Sequence, residues 1–426
     1  MKEKVMNRVQ SHAHHYVPEW YQRRFLPSGV SKYYHLDLQP ETIVQNGHAH
    51  QRKAVRHLGP DSCFYKDDLY ALNFAGKTTD ELEQFFFGTL DDVGSRAVPE
   101  IAYFHEITDK VCESFQPFVR YMGAQRFRTP RGLEEIKRRF AWDEENSTLI
   151  VLTRVFQSYA TMWSEGVWEI VRATKSPTKF LVTDNPVTFY CKVMFPSEWT
   201  YPNDPNLKQI GTRTIFPLGL DSCLIITHIQ LVRHLWSTPT EFRENPRYYD
   251  QTMKHLGEIQ YGRELEEDEV LRINFILKQR ATRYIAAVER EWLYPEGRVS
   301  TTEWRALDDD WFLLPHLWKV SFSSGIFAGG DKGPTFAADE YGRHPGQRKF
   351  QNKRQRDIEW VQHGRSREAW AKKRVGKSRA MTDERVGRHG FEDEMMDDFL
   401  RERGLLPPIA KGKGTADSSA ASPPSE

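Results

Sequence analysis

Lys179-Phe180-Leu181-Val182-Thr183-Asp184-Asn185-Pro186-Val187 is where the chain changes its rhythm. Before it, apolar residues recur at steps of three and four. Here β-branched and aromatic residues run together and end in a turn-forming Asp-Asn-Pro, which reads as a strand leading into a loop. Thr212 to Phe216 and Cys223 to Thr227 read as two further strands around the Pro217-Leu218-Gly219 turn. These strands come after a run of helices and do not alternate with them, which predicts an α+β fold and not a doubly wound α/β one. The expected architecture is a helix-rich single domain with a small, mostly antiparallel sheet over residues 12–325.

Upstream, Leu82, Phe85, Phe86, Leu90 and Val93 keep helical spacing behind a Thr78-x-x-Glu81 capping box. A second helix is expected from Val111 to about Arg128, with Phe115, Phe118, Val119 and Met122 on one face. Pro117 suggests a start close to itself, and Pro130 closes the helix because a residue before proline is steered away from helical geometry. A third helix is expected over roughly Ser147 to Arg172 and a last one from Glu267 to about Arg290. Near the N-terminus, Lys32 to Leu38 reads as a strand after the Pro27-Ser28-Gly29 turn, and 39–76 as mostly loop.

The chain of 426 residues is 39% hydrophobic and 28% charged, yet 13% aromatic, so a large core coexists with a polar segment elsewhere. That segment begins after about residue 325: from 342 to 380 there are 13 Lys+Arg against 3 Asp+Glu. An acidic helix candidate, Glu392 to Arg403, and a Ser/Pro/Ala tail follow. With so little apolar content, 326–426 reads as a charged extension, largely disordered with short helices. The basic run Lys372 to Arg379 reads as a solvated linker ahead of a nuclear-localisation or nucleic-acid patch, since no aromatic platform accompanies it.

A net charge of +1 excludes a uniformly basic nucleic-acid binder. Cys63, Cys112, Cys191 and Cys223 form no C-x-x-C pair, so reduced thiols are the default. No signal-peptide core and no apolar run near 18 residues is present, which leads to an expectation of cytoplasm or nucleus, with no membrane partner. No P-loop, Rossmann glycine pattern or nucleophile elbow occurs.

Three polar segments stand out: His14-His15-Tyr16-Val17-Pro18 with Arg23-Arg24 after it, Gln125-x-x-Arg128-Thr129-Pro130, and Thr183-Asp184-Asn185-Pro186. Together they resemble the family catalogued as domain of unknown function 4238, over residues 14 to about 290. Glu19, Trp20 and Gln22 depart from the residues usual there, and the His/Pro core stays intact. Asn274 resembles an asparagine of the family's last helix. The resemblance brings no reaction with it.

Residue chemistry offers two readings. In the first, the chain is a phosphate-handling hydrolase, of nuclease type, acting on a phosphorylated ligand or nucleic acid. His14 or His15 would be general base or ligand, Arg128 an oxyanion clamp, and Asp184 a metal ligand or histidine orienter, a divalent metal being the cofactor such a set could use. Arg23, Arg24, Gln125, Asn185 and Asn274 would contact substrate. Adjacent strand residues face opposite ways, so only one of the two histidines can face a site. In the second reading, the His/Arg/Asp cluster is a buried polar network that fixes the fold of a non-catalytic binding protein.

Overall fold

From the N-terminus the chain forms β1 (Ala13–His15), α1 (Glu19–Arg23), β2 (Tyr33–Asp37), β3 (Thr42–Gln45), β4 (His48–Gln51), β5 (Val55–Leu58), β6 (Tyr65–Asp67), β7 (Leu72–Phe74) and β8 (Lys77–Thr79). Helices α2 (Gly88–Ala102), α3 (Asp109–Phe127), α4 (Pro130–Phe140) and α5 (158–164) follow. Next come β9 (Val167–Arg172), β10 (Val182–Thr183), β11 (Thr188–Tyr190), β12 (Arg213–Gly219), β13 (Ser222–Thr227), α6 (Ile229–Arg233), β14 (Gln260–Glu264), α7 (Glu267–Arg280) and β15 (Tyr284–Ala287). The last elements are β16 (Ile326–Gly330), β17 (Gly333–Ala338) and α8 (Lys353–Arg374). This computed structural model describes residues 13–45, 48–67, 69, 72–74, 77–79, 88–140, 158–196, 205–243, 254–322, 326–330, 333–339, 341, 343–350 and 352–376.

The fold is α+β, and two of its described sheets have more than two strands. One has the order β11-β12-β13-β9-β14, antiparallel except for the β14–β9 pair. The other is antiparallel, with the order β10-β15-β2-β5. Every residue of β12 is buried and so is every residue of β13. Strands covered on both faces carry near-continuous apolar runs, which is why Cys223 to Thr227 lacks a clean alternation. The α2–α3 hairpin packs on this sheet, with Phe118 against Trp168 and Phe216. Each such large apolar side chain contributes roughly 1.5–3 kcal/mol when fully buried. The two central tryptophans keep their N–H groups bonded: Trp163 donates to Thr214 at 2.9 Å and Trp168 to the Trp163 carbonyl at 2.7 Å.

Several local expectations give way. The stretch 39–76 carries strands β3 to β7, set in hairpins and sheet edges, where a loop was expected. Pro117 lies inside α3, whose true start is capped by Thr108 accepting from the Val111 N–H. The carbonyl that Pro117 deprives of a partner belongs to Glu113, an exposed residue. Pro130 does not merely end α3: it opens α4 from the first helical position. Thr78 sits in β8, so it caps no helix, and Glu81, Leu82, Phe85 and Phe86 lie outside the described residues. Of the third expected helix, 147–157 lies outside the described residues, 158–164 is helical, and Val167–Arg172 is a central strand. The last helix stops at Arg280, and Tyr284–Ala287 pairs with β2.

The extension also departs from expectation within 326–376. Strands β16 and β17 pair antiparallel, and α8 is a helix of 22 residues. Trp370 and Ala371 of α8 pack into an apolar cluster with Leu231, Val232, Leu314 and Leu317. Arg374 reaches Glu269 at 2.7 Å, and the Lys373 ammonium lies 4.8 Å from the Trp311 ring centre. Part of the basic run therefore docks a helix end; Lys377, Ser378 and Arg379, like Glu392 to Arg403 and the tail, lie outside the described residues. No described helix is long and apolar enough to cross a membrane.

Candidate functional site

The first two signature segments meet. β1 pairs with β6, His14 opposite Lys66 and His15 opposite Tyr65. His14 is buried and His15 half-buried, as strand alternation demands. On α3, Gln125 and Arg128 share a face because they are three residues apart. The Gln125 amide donates to the Tyr16 carbonyl at 2.9 Å, and Arg128 Nη2 donates to the His15 carbonyl at 2.6 Å. Both side chains are fully buried. The Arg128 fork is completed by Asp91, which accepts from Nη1 at 2.6 Å and from Nη2 at 3.2 Å. Arg128 therefore holds backbone and a carboxylate of its own fold.

The third segment joins through the opposite face of α3. Arg126 is two residues from Arg128, about 200° around the helix. It bonds Glu135 of α4, donates to Asn185 Oδ1 at 3.4 Å and lies 4.8 Å from the Phe189 ring centre. Asn185 Nδ2 and Arg131 Nη1 both donate to the Arg280 carbonyl, at 3.1 and 3.0 Å. Arg280 Nε in turn donates to the Phe189 carbonyl at 3.0 Å. Gly132 permits this closeness: a Cβ there would sit 2.5 Å from the Arg126 carbonyl oxygen and 2.6 Å from Phe127 Cα.

Asp184 caps a bend. Its Oδ1 accepts from the Thr282 N–H at 2.8 Å, and Oδ2 accepts from Arg283 and Tyr284 at 2.6 and 2.9 Å. These are the amides that turn the chain from α7 into β15. Burial pushes the Asp184 carboxyl above its ordinary value, while the three N–H donors and Arg131 pull against that shift. Asn274 does similar work for the strand before it, accepting from the Leu181 N–H at 3.1 Å and donating to the Lys179 carbonyl at 2.8 Å. It substitutes for a neighbouring strand.

The two flanking arginines separate. Arg23 is exposed and pairs with Glu19 at 2.8 Å. Arg24 donates to the Leu218 carbonyl at 2.5 Å, fastening α1 to the β12–β13 turn. His15 Nε2 is shielded from solvent, has no hydrogen-bond partner and lies 4.0 Å from Glu19 Oε1. Among the described residues no group of three or more His, Cys, Asp and Glu is placed to hold a metal ion. Asp91, Glu135, Arg126, Arg131 and Arg280 complete the cluster and escaped sequence reasoning. Charges on amphipathic helices read as solvated, and only Arg126 lay inside a quoted motif.

A separate polar concavity lies where α6 faces the first turns of α8. It has a volume of about 230 Å³, and its walls include Gln230, Arg233, His234, Phe242, Lys349 and Gln362. Both amide atoms of Gln230 are shielded from solvent and lack hydrogen-bond partners. His234 Nδ1 shares a 2.9 Å hydrogen bond with Ser237, and burial lowers its pKa while Glu241 opposes the shift. None of these residues carried a signal in the sequence.

No curated protein and no solved structure matches the chain. The segments that meet here are the ones that carry the family resemblance, and the profile described as "Protein of unknown function (DUF4238)" matches residues 13–291, well over half of the chain, which therefore belongs to that family.

Proposed function

We propose that this chain is a non-catalytic binding protein whose His/Arg/Asp signature is the framework of its fold. The observation that carries this reading is the occupancy of Asp184, whose two oxygens accept three backbone N–H groups. Arg128 is engaged in the same way, by Asp91 and the His15 carbonyl. A general base, a metal ligand or an oxyanion clamp needs lone pairs or N–H groups directed at a ligand, and these are directed at the chain itself. A cytoplasmic or nuclear setting, where free thiols are the default, fits four cysteines that are all unpaired.

One observation favours the rival reading, a phosphoester hydrolase that takes a phosphorylated ligand or nucleic acid. His15 Nε2, 4.0 Å from Glu19 Oε1, has no hydrogen-bond partner, so this nitrogen, unlike Asp184 and Arg128, is not taken up by the fold. Melting curves of Asp184→Asn, Arg128→Lys and His15→Ala, run beside a phosphodiesterase assay on bis(p-nitrophenyl) phosphate with and without Mg²⁺ or Mn²⁺, separate the two. The binding reading expects the first two variants to melt well below the wild type and no hydrolysis that depends on His15. Metal-stimulated hydrolysis that vanishes in a normally melting His15→Ala protein overturns it.

A further inference from the structure

We propose, resting on the binding-protein reading above, that the first turns of α8 and the loop facing them bind single-stranded nucleic acid. Exposed cations there would hold phosphates, and exposed aromatic rings would stack on bases.

Positive charge gathers where a helix tolerates it least. The first turn of α8 holds Lys353 and Arg354 and no acidic residue. Cations there oppose the helix dipole, whose N-terminal end already carries partial positive charge. Arg348 and Lys349 stand just upstream. All four are exposed, and among the described residues none of them makes an ion pair or a side-chain hydrogen bond. The acidic residues of α8 do not offset them: Glu359 is buried against Arg343 and Arg356, and Asp357 and Glu368 are half-buried. Uncompensated cations stacked on the positive end of a helix of 22 residues suit a polyanion, which supplies the charge the first turn lacks.

Aromatic rings flank these cations. Trp360 is 42% exposed, seven residues beyond Lys353 on the same side of α8, two turns or about 10 Å along it. Across the polar cleft, Phe242 is 58% exposed and shares the cleft wall with Lys349. Trp236, on the same loop 234–243, is 57% exposed. Glu241 beside Phe242 is exposed as well and repels phosphate, so that ring suits a base while Lys349 and Lys353 suit the backbone. Cations alone accept any polyanion. Rings set among them favour a single strand, whose bases have free faces, over a duplex. The basic run lacks this platform in sequence, because Trp236 and Phe242 are far upstream and only the fold brings their loop against α8. The four cations lie beyond residue 291, so the surface is an addition to the family framework.

The test is fluorescence anisotropy of the full chain with labelled, mixed-sequence RNA and DNA single strands of about 16 nucleotides, enough to cover a compact single-strand site. The matching duplex and vesicles containing phosphatidylserine are the competing polyanions. One or both single strands should bind saturably, more tightly than duplex or vesicles, and which of them binds identifies the sugar preferred. Replacing Lys349, Lys353 and Arg354 together by alanine should make the slope of log K against log salt shallower by about 2, at roughly 0.7 per phosphate contact. Phe242→Ala and Trp360→Ala should each bind about fivefold or more weakly at an unchanged salt slope. Phe242 is the safer of the two, since its exposed ring can go without loss of Tm. The proposal is overturned if neither strand binds at low salt, if duplex or vesicles bind as tightly, if the triple variant keeps the wild-type slope, or if Phe242→Ala keeps full affinity. Bound strands should be recovered uncut. Cleavage that His15→Ala abolishes would sink the binding-protein reading and leave this surface standing, so the two can fail separately.

Discussion

Replacing Asp184 by asparagine changes one atom and should cost several degrees of melting temperature. Thr282 donates to Oδ1, while Arg283 and Tyr284 donate to Oδ2. An amide retains one acceptor oxygen. Turned toward Arg283 and Tyr284 it keeps two bonds, now to a neutral acceptor, and sets its own NH₂ against the Thr282 N–H. A hydrogen bond to a charged group contributes about 1.5–3 kcal/mol, and a neutral acceptor roughly halves the strength of those retained. Against this loss, neutralising the side chain relieves the burial that pushes the carboxyl pKa up. The net expectation is a loss of about 2–4 kcal/mol, a drop of roughly 2–5 °C for a chain of this size. Asp184→Ala, which removes all three acceptors, should melt lower still. Differential scanning calorimetry at neutral pH measures both. If Asp184→Asn melts within about 1 °C of the wild type, the carboxylate does not hold the turn into β15, and its oxygens become available for chemistry.

Arg128→Lys replaces a fork by a point charge and should lose about 3 kcal/mol by leaving Asp91 and the His15 carbonyl incompletely paired, read from urea unfolding. Gly132→Ala drives a Cβ into the backbone of Arg126 and Phe127 and should cost at least about 1–3 kcal/mol in the same assay. Burial, together with neighbouring arginines, lowers His228 and His363 to about 3 and His35 to about 4. The folded chain keeps these histidines neutral while the unfolded chain protonates them near pH 6.5, so their stability contribution is intact above that value and falls as pH drops toward the folded values. At pH 5 each should remove about 2 kcal/mol, so melting temperature should fall steeply from pH 7 to 5, and His363→Gln should flatten that slope. Trp370→Ala should release α8 without unfolding the body, seen as rapid proteolytic cleavage within 353–374 at a nearly unchanged main melting transition.

The parts of the fold that could be read from the sequence are those fixed by local chemistry. β13 announces itself because Cys223-Leu224-Ile225-Ile226 is apolar on both faces, and α3 because Phe115, Phe118, Val119 and Met122 share one. β15 could not be read: Tyr284-Ile285-Ala286-Ala287 continues an apolar pattern that suits a helix equally, and only pairing with Leu36 and its neighbours makes it a strand. The same division runs through the candidate site. The identities of Gln125, Arg128, Asp184, Asn185 and Asn274 mark them as special, but their roles depend on distant backbone. Gln125 bonds a carbonyl 109 residues away, and Asp184 caps amides about 100 residues on. Asp91 and Glu135 gave no sign, because an acidic residue on a helix is ordinarily solvated and only the facing arginines make these two structural.

The docking of α8 has a practical consequence for anyone preparing the protein. The family match ends at residue 291, a natural place to truncate an expression clone. A chain stopped at residue 322 would already leave Leu231, Val232, Leu314 and Leu317 without the cover of Trp370 and Ala371. It would also strip Glu269 of Arg374. A bared apolar patch of that kind favours self-association and aggregation. The smallest fragment worth purifying therefore runs past Arg374, because the boundary of sequence similarity falls inside the packed body and not at its edge.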